Sequence, residues 1–306
     1  MISGGNITVI NDMVYFGGGA TSNLKFMVGD DDDECVLYCY DPPQDKWTTL
    51  PPLPVRWFYL GQVNGKLVTV GGAKKSGYEV TNELYTYHEQ RRKWMQTIPP
   101  MPTARHSPGI LSLQSALIVA GGYTKLLYTA AVEIFKSATS QWYKTDPLPT
   151  VCRNLSLIAI DNTCYALGGY KLGCLNQALY ASVDDLLDSA IPPNQTTHSG
   201  NMRSASDTQS SWKMLPNIPS YRPAAAVLAG KLLVIGGSDA SKGGTNKAEV
   251  YLYSPSTNSW VYISDLPAPR FSTAAAVLSS TEILVVGGWD DGGKVNTVYK
   301  GTLILL

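Results

Sequence analysis

Residues 117–123 read LIVAGGY. Residues 67–73 read LVTVGGA, 232–238 read LLVIGGS and 283–289 read ILVVGGW, with looser copies at 13–19 (MVYFGGG) and 164–170 (CYALGGY). Six copies of one phrase in 306 residues make an internal repeat the first thing to establish. Gly17, Gly71, Gly121, Gly168, Gly236 and Gly287 open the pairs, at separations of 54, 50, 47, 68 and 51. Four of the five intervals lie near 50, a period that suits propeller blades better than a helical solenoid.

Other residues keep step with the glycines. Trp47, Trp94, Trp142, Trp212 and Trp260 fall late in their units, and Tyr40, Tyr87, Phe135 and Tyr253 stand seven positions before four of them. Arg56, Arg105, Arg153, Arg222 and Arg270 follow the tryptophans by 9 to 11 positions, just after a proline step such as PPLPVR or PPMPTAR. GKLVTVGG and SALIVAGG are short apolar runs, whereas ELYTYHEQRRKW alternates and then turns through polar residues. No segment shows a helical period. Each unit thus predicts four strands, A to D, with B ending at Gly-Gly, C around the Tyr-x-Tyr and D starting at the Trp. A sheet apolar on both faces cannot bury them alone, but radial stacking buries both and ring closure removes the end units. The glycines serve positions where a Cβ is not tolerated. Trp94, Trp142 and Trp260 are expected to lie buried between blades, where a flat ring fills the wedge.

The chain is 44% hydrophobic and only 16% charged, with 24 Lys+Arg against 24 Asp+Glu. It can bury a large core, and it has no basic field to draw a nucleic acid backbone. No apolar run is long enough for a bilayer helix, and MISGGNITVI lacks a basic region followed by an apolar core, so neither membrane span nor secretory signal is expected. Cys35 and Cys39 are the closest of five cysteines. In a strand that spacing spans about 13 Å, beyond disulfide reach. Reduced, buried cysteines and a cytoplasmic setting are the expectation.

Gly-Gly, Tyr, Trp and the proline-arginine step, in fixed order along essentially the whole chain, resemble the kelch repeat. The resemblance implies an all-β, six-bladed propeller of four antiparallel strands per blade around a central channel. It would form one domain over 1–306, with blades about 1–53, 54–102, 103–149, 150–218, 219–267 and 268–306. Two units depart from the pattern. Unit 4 has Ser182 in the aromatic position and 23 extra residues before Trp212, and its Ser-, Asn- and Thr-rich segment 184–210 reads as a mobile loop projecting from the C–D face. Unit 6 ends in VNTVYKGTLILL, with room for strand C but no Trp. Either the last blade lacks its outer strand, or the chain is a piece of a longer protein. An open edge there would fold back on the tail or contact another chain, on an otherwise monomeric protein.

Blade topology puts the D–A and B–C loops on one face. From D–A loops it collects Arg56 with Trp57, Arg105 with His106, Arg153 with Asn154, Tyr221 with Arg222, and Arg270 with Phe271. From B–C loops come Lys74, Tyr123, Tyr170, Ser238, Asp239 and Trp289. Aromatics mixed with Arg dominate protein-binding hot spots, and forked guanidinium donors suit an acidic partner. An arginine that recurs in five units is more simply a structural part of the repeat. Its varying neighbours Trp57, His106, Asn154 and Phe271 are the better specificity residues. The acidic run Asp30–Glu34 lacks the spacing of a calcium loop.

Enzyme readings meet specific gaps. Kelch-like copper oxidases use His and Tyr ligands, but His88, His106 and His198 lie in three units. The ligand spacing of kelch-type iron-dependent specifier proteins is missing, as are G-x-S-x-G, the P-loop, the Rossmann fingerprint and CxxC. The reading favoured is a non-catalytic module that binds a protein or peptide and needs no cofactor or metal. In the kelch family such propellers often serve as recognition parts of ubiquitin-ligase adaptors or as scaffolds. The alternative is a carbohydrate enzyme of the sialic acid mutarotase type.

Overall fold

The computed structural model describes residues 6–18, 37–74, 79–173, 175–192, 210–239 and 244–302. The apolar runs pair as antiparallel neighbours and form six principal sheets. Blade 1 holds strands A to D at Asn6–Ile10, Met13–Gly17, Tyr38–Asp41 and Lys46–Thr49. Blade 2 holds Tyr59–Val63, Lys66–Val70, Leu84–His88 and Lys93–Met95, and blade 3 holds Gly109–Ser112, Ala116–Ala120, Val132–Lys136 and Gln141–Thr145. Blade 4 has Arg153–Ile160, Thr163–Tyr170, Ala178–Ser182 and Lys213–Leu215, and blade 5 has Ala224–Leu228, Lys231–Ser238, Asn246–Ser254 and Ser259–Asp265. Blade 6 has three strands among the described residues: Ala274–Val277, Glu282–Val286 and Val298–Thr302. The tail 303–306 and the run Asp30–Glu34 lie outside the described residues.

Each sheet runs in the order A, B, C, D, and each A strand stands beside the A strands of both neighbouring blades, that of blade 6 beside that of blade 1. Six A strands therefore ring the channel. The seam is closed by side chains: Val14, Phe16 and Tyr40 of blade 1 pack on Ala274, Ala276, Leu284 and Val286 of blade 6. The other junctions use similar clusters, such as Val68, Val70 and Leu84 against Leu117, Val119 and Phe135.

The glycine pairs are stitches between blades. The Gly72 amide donates to the Arg105 carbonyl, Gly122 to Cys152 and Gly237 to Arg270, each reaching the linker into the next blade. Contact is so close that a Cβ at Gly71 would lie 2.2 Å from the Arg105 carbonyl oxygen, and φ there is +59°. Only glycine fits. Two expectations are corrected here. In blades 4 and 5 strand B runs through the pair rather than ending at it, and in blade 5 a register shift at Ile235/Gly237 accompanies the left-handed turn. In unit 1 the left-handed backbone begins at Gly18, not Gly17, so the repeat register there is one residue later.

Outside, tryptophan does the stitching. The indole N–H of Trp94 donates to Pro51 O (2.9 Å), Trp142 to Pro99 O (2.7 Å), Trp212 to Asp146 O (3.3 Å) and Trp260 to Pro216 O (3.0 Å). Each acceptor lies between strand D of the preceding blade and the next blade. Trp142 is buried at 5% exposure, and Trp94 and Trp260 are partly exposed but packed against the clusters between blades, so none of the three is an exposed indole. All three sit on the outermost strand of their blade, but at Trp142 that edge is itself paired, through Lys144 with Ile191. The seven-residue spacing is a cross-strand pair: Tyr40 faces Trp47, Tyr87 faces Trp94, Phe135 faces Trp142 and Tyr253 faces Trp260.

The unit 4 insert is only in part what its composition suggests. Val183–Asp188 is a helix, and Ser182 is its N-cap, accepting from the Asp185 amide. Val183 and Leu186 are buried in the core of blades 3 and 4. The chain then runs along the outer edge of blade 3, where Ile191 exchanges two backbone hydrogen bonds with Lys144, both 2.8 Å. The insert's beginning thus covers an edge strand instead of projecting; residues 193–209 lie outside the described residues. Cys39, Cys152 and Cys164 are buried free thiols, and burial pushes Cys152 and Cys164 up to about 12. Among the described residues no helix is long and apolar enough to cross a membrane.

Candidate functional site

Every D–A linker of blades 2 to 6 pairs with the B–C loop of its own blade at one register. The partners are Arg56 with Ala73, His106 with Tyr123, Arg153 with Tyr170, Tyr221 with Ser238, and Phe271 with Trp289. The next residue is left-handed in all five: Trp57, Ser107, Asn154, Arg222 and Ser272 have φ between 51° and 55°. The preceding residues Val55, Arg105, Cys152, Ser220 and Arg270 are all buried. The five arginines therefore do not share one repeat position. Arg105 and Arg270 occupy the buried register, Arg56 and Arg153 the paired one, and Arg222 the left-handed one.

This corrects three members of the expected ligand surface, Arg105, Arg270 and Ser238. Arg105 is fully buried, ion-paired to Glu133 at 2.8 Å, and donates to the carbonyls of Gly121 (2.8 Å) and Ala131 (2.9 Å). Arg270 is 2% exposed, donates to Gly287 O (3.2 Å) and Thr297 Oγ1 (3.0 Å), and lies 4.1 Å from the Tyr299 ring centroid. Both clamp strand B to the loop after it and present nothing to a partner. Ser238 is also buried and forms a two-bond backbone bridge with Tyr221.

Of the remaining residues, Arg56, Trp57, His106, Tyr123, Arg153, Tyr170, Arg222, Phe271 and Trp289 form one continuous arc. The Arg56 guanidinium lies 5.7 Å from the Trp57 ring, Trp57 5.3 Å from His106, and His106 5.4 Å from Tyr123. Arg153 sits among three tyrosines, 5.2 Å from Tyr170, 5.6 Å from Tyr123 and 5.8 Å from Tyr128. Arg222 lies between Tyr170 (5.7 Å) and Phe271 (5.5 Å). Phe271 stacks on Trp289 at 6.3 Å, and Lys294 stands 5.5 Å from Trp289. Cations and rings thus alternate across blades 2 to 6, each contact contributing about 0.5–2 kcal/mol. Asp239, Asp290 and Asp291 put negative charge on the sector of blades 5 and 6, where Asn246 Nδ2 donates to Asp291 Oδ1 at 2.7 Å, and in blade 2 Glu79 pairs with Lys74 at 3.4 Å.

Across the mouth, the Tyr59 hydroxyl of blade 2 donates to Asn154 Oδ1 of blade 4 at 3.0 Å. Loss of water around Tyr59 pushes its phenol up to about 12, against the opposing pull of Arg153. Desolvation, with help from the Arg153 charge, lowers His106 to about 4, so it is neutral near pH 7. Tyr59, Tyr128 and Lys294 were not legible as site residues, because none stands at a marked repeat position. The three linker registers were better signposted. Arg56, His106, Arg153 and Tyr221 each stand fifteen residues before the first glycine of the pair, and Phe271 sixteen. Among the described residues no group of three His, Cys, Asp or Glu could hold a metal ion.

A closed ring of six antiparallel sheets, with a loop-built face at one end of its channel, defines a β-propeller. A family profile described as Kelch motif matches residues 219–267, the segment that holds blade 5. The chain is 30% identical over 163 residues to Kelch-like protein 40 of Mus musculus, covering 51% of this chain and 26% of that protein. It is 24% identical over 247 residues to Kelch-like protein 25 of Homo sapiens, covering 78% of this chain and 37% of that protein. A solved structure titled "Structure of YjhT" superposes with a TM-score of 0.75 at 15% identity, covering 99% of this chain and 95% of that one, and shares the fold. The motif match at blade 5 and the Kelch-like relatives support a kelch-repeat propeller. It spans about a quarter of the length of the first curated relatives it matches.

Proposed function

We propose that the chain is a non-catalytic recognition module that binds a protein or peptide segment on the face made by the D–A and B–C loops. The observation that carries the reading is the uninterrupted arc of cations and aromatic rings across five blades, the side-chain chemistry of interface hot spots. All five linkers place a cation or an aromatic ring at the paired register, namely Arg56, His106, Arg153, Tyr221 and Phe271. In a longer cytoplasmic protein such a propeller would serve as the recognition part of an adaptor or scaffold. The decisive comparison is partner capture by wild type and by an Arg153→Ala/Tyr170→Ala variant whose thermal unfolding is followed alongside. Capture lost in a folded variant is expected; equal capture by both would refute the assignment of the face.

The alternative is carbohydrate chemistry of the sialic acid mutarotase type, which the shared propeller fold keeps in view. Two observations favour recognition. The imidazole of the arc is held neutral far below its ordinary range, so it carries protons poorly near pH 7, and Glu133 is buried against Arg105. Titration with sialic acid and related sugars separates the readings: saturable turnover would sink the non-catalytic one.

A further inference from the structure

The arc is not evenly dressed. The B–C loop of blade 3 is a tight hairpin whose stem is the bridge between Tyr123 and Tyr128, the two rings beside Arg153. Its turn is locked by the Thr124 amide donating to Leu127 O at 2.9 Å and the Leu127 amide donating to Thr124 Oγ1 at 3.2 Å. That rigid turn holds Leu126 and Leu127 at 76% and 70% exposure. In the next blade the loop after Tyr170 holds Leu172 at 76% exposure with φ of 52°. A leucine in left-handed backbone is strained, and neither burial nor packing compensates it there. Lone exposed apolar residues are ordinary, but three leucines on two adjacent, stem-ordered loops are not.

Charge around these loops is of one sign. The segments 103–107, 123–131, 150–154, 170–178 and 219–222 contain no Asp or Glu, and they carry Lys125, Arg153, Lys171 and Arg222 outside the buried register. Lys125, Lys171 and Arg222 are exposed. Acidic loop residues stand in other blades: Asp30–Glu34 in the sequence of unit 1, Glu79 in blade 2, and Asp239, Asp290 and Asp291 in blades 5 and 6.

We infer that blades 3 and 4 set the specificity of the face: Arg153 and its flanking lysines take a carboxylate of the partner, while Leu126, Leu127 and Leu172 take a large apolar side chain beside it. The occupant is an extended peptide segment in which an Asp or Glu stands near a Leu or Phe. This rests on the peptide-binding reading above and adds to it a sector, a charge and an apolar neighbour. An acidic segment without the apolar residue leaves the leucines wet, and an apolar segment without the acid leaves the cations uncompensated.

The test uses arrays of synthetic peptides pairing one Glu with Leu or Phe at varied spacing, beside matched arrays with Gln for Glu or Ser for the apolar residue. They are probed with wild type, Leu126→Ser/Leu127→Ser, Leu172→Gly and Arg153→Gln. Only peptides with both features are expected to bind wild type well. The leucine variants should weaken them by about tenfold or more. Leu172→Gly relieves the left-handed strain, so its melting temperature should hold or rise while binding falls, a split that a structural role for Leu172 would not produce. Binding that survives in the leucine variants but is lost with Arg153→Gln overturns the apolar half and leaves the face standing. Binding indifferent to all three variants, or no wild-type binding to any array, overturns both readings.

Discussion

Burial has already chosen a protonation state for His106. With a folded-state value of about 4 against the ordinary 6.5, the unfolded chain binds a proton that the folded chain refuses across that interval. Stability that His106 contributes above pH 6.5 is therefore lost as pH falls toward 4, on the order of 3 kcal/mol by linkage. Urea unfolding across that window should show a steeper loss in wild type than in a His106→Gln variant; parallel curves would refute the burial argument. Arg105 makes a second residue-level case. Arg105→Met leaves Glu133 buried without its partner and should cost about 3–5 kcal/mol. Adding Glu133→Leu should recover part of that loss in a double-mutant cycle, and strictly additive losses would show that the pair does not act as a unit. The sequence showed five arginines near one place and could not sort them, since each counts almost equally well from its tryptophan. Counting back from the glycines separates them, because strands A and B form a hairpin of nearly constant length.

At the scale of elements, indole N–H bonds join neighbouring blades, and their worth should follow burial. Trp142→Ala should cost about 3–5 kcal/mol, and the half-buried Trp94→Ala clearly less, as measured by chemical denaturation. Equal losses would mean that the hydrogen bond, present in both, outweighs the packing. Trp142→Phe keeps much of the apolar area and leaves Pro99 without its donor, which isolates the bond. Strands were legible because periodicity and glycine both mark them. The helix at Val183–Asp188 was hidden by its shortness and by a polar context that reads as loop. The signal was Ser182, which looked like a lost aromatic and is a cap: Ser182→Ala should cost about 1 kcal/mol.

For the whole molecule, the seam is the place to look. Strand C of blade 6, Val298–Thr302, pairs with strand B alone among the described residues, whereas Asn246–Ser254 of blade 5 is flanked by strands on both sides. Amides of Val298–Thr302 should exchange with solvent before those of Glu249–Ser254 in a dilute monomer, and equal protection would refute the weak seam. Ring size and order were readable from the repeat count, and the three strands that blade 6 shows among the described residues agree with its lack of a strand-D tryptophan. The loop face was not readable in the same way, since the position of Tyr128 against Arg153, or of Tyr59 against Asn154, follows from loop conformations that no repeat records.

The bond from Tyr59 to Asn154 is a chord across a circle. It ties blade 2 to blade 4 and skips the blade between, so blade 3 sits as a keystone in a braced arch. The bond is modest, about 1 kcal/mol net, but it acts where leverage on the aperture is greatest. Opening of the mouth on the side of blades 5, 6 and 1, where the seam also lies, need not break this bond, whereas parting blade 2 from blade 4 must. The leucine-tipped loop thus projects from the braced arc, its own turn already bonded, and a partner docking there has less ordering left to impose.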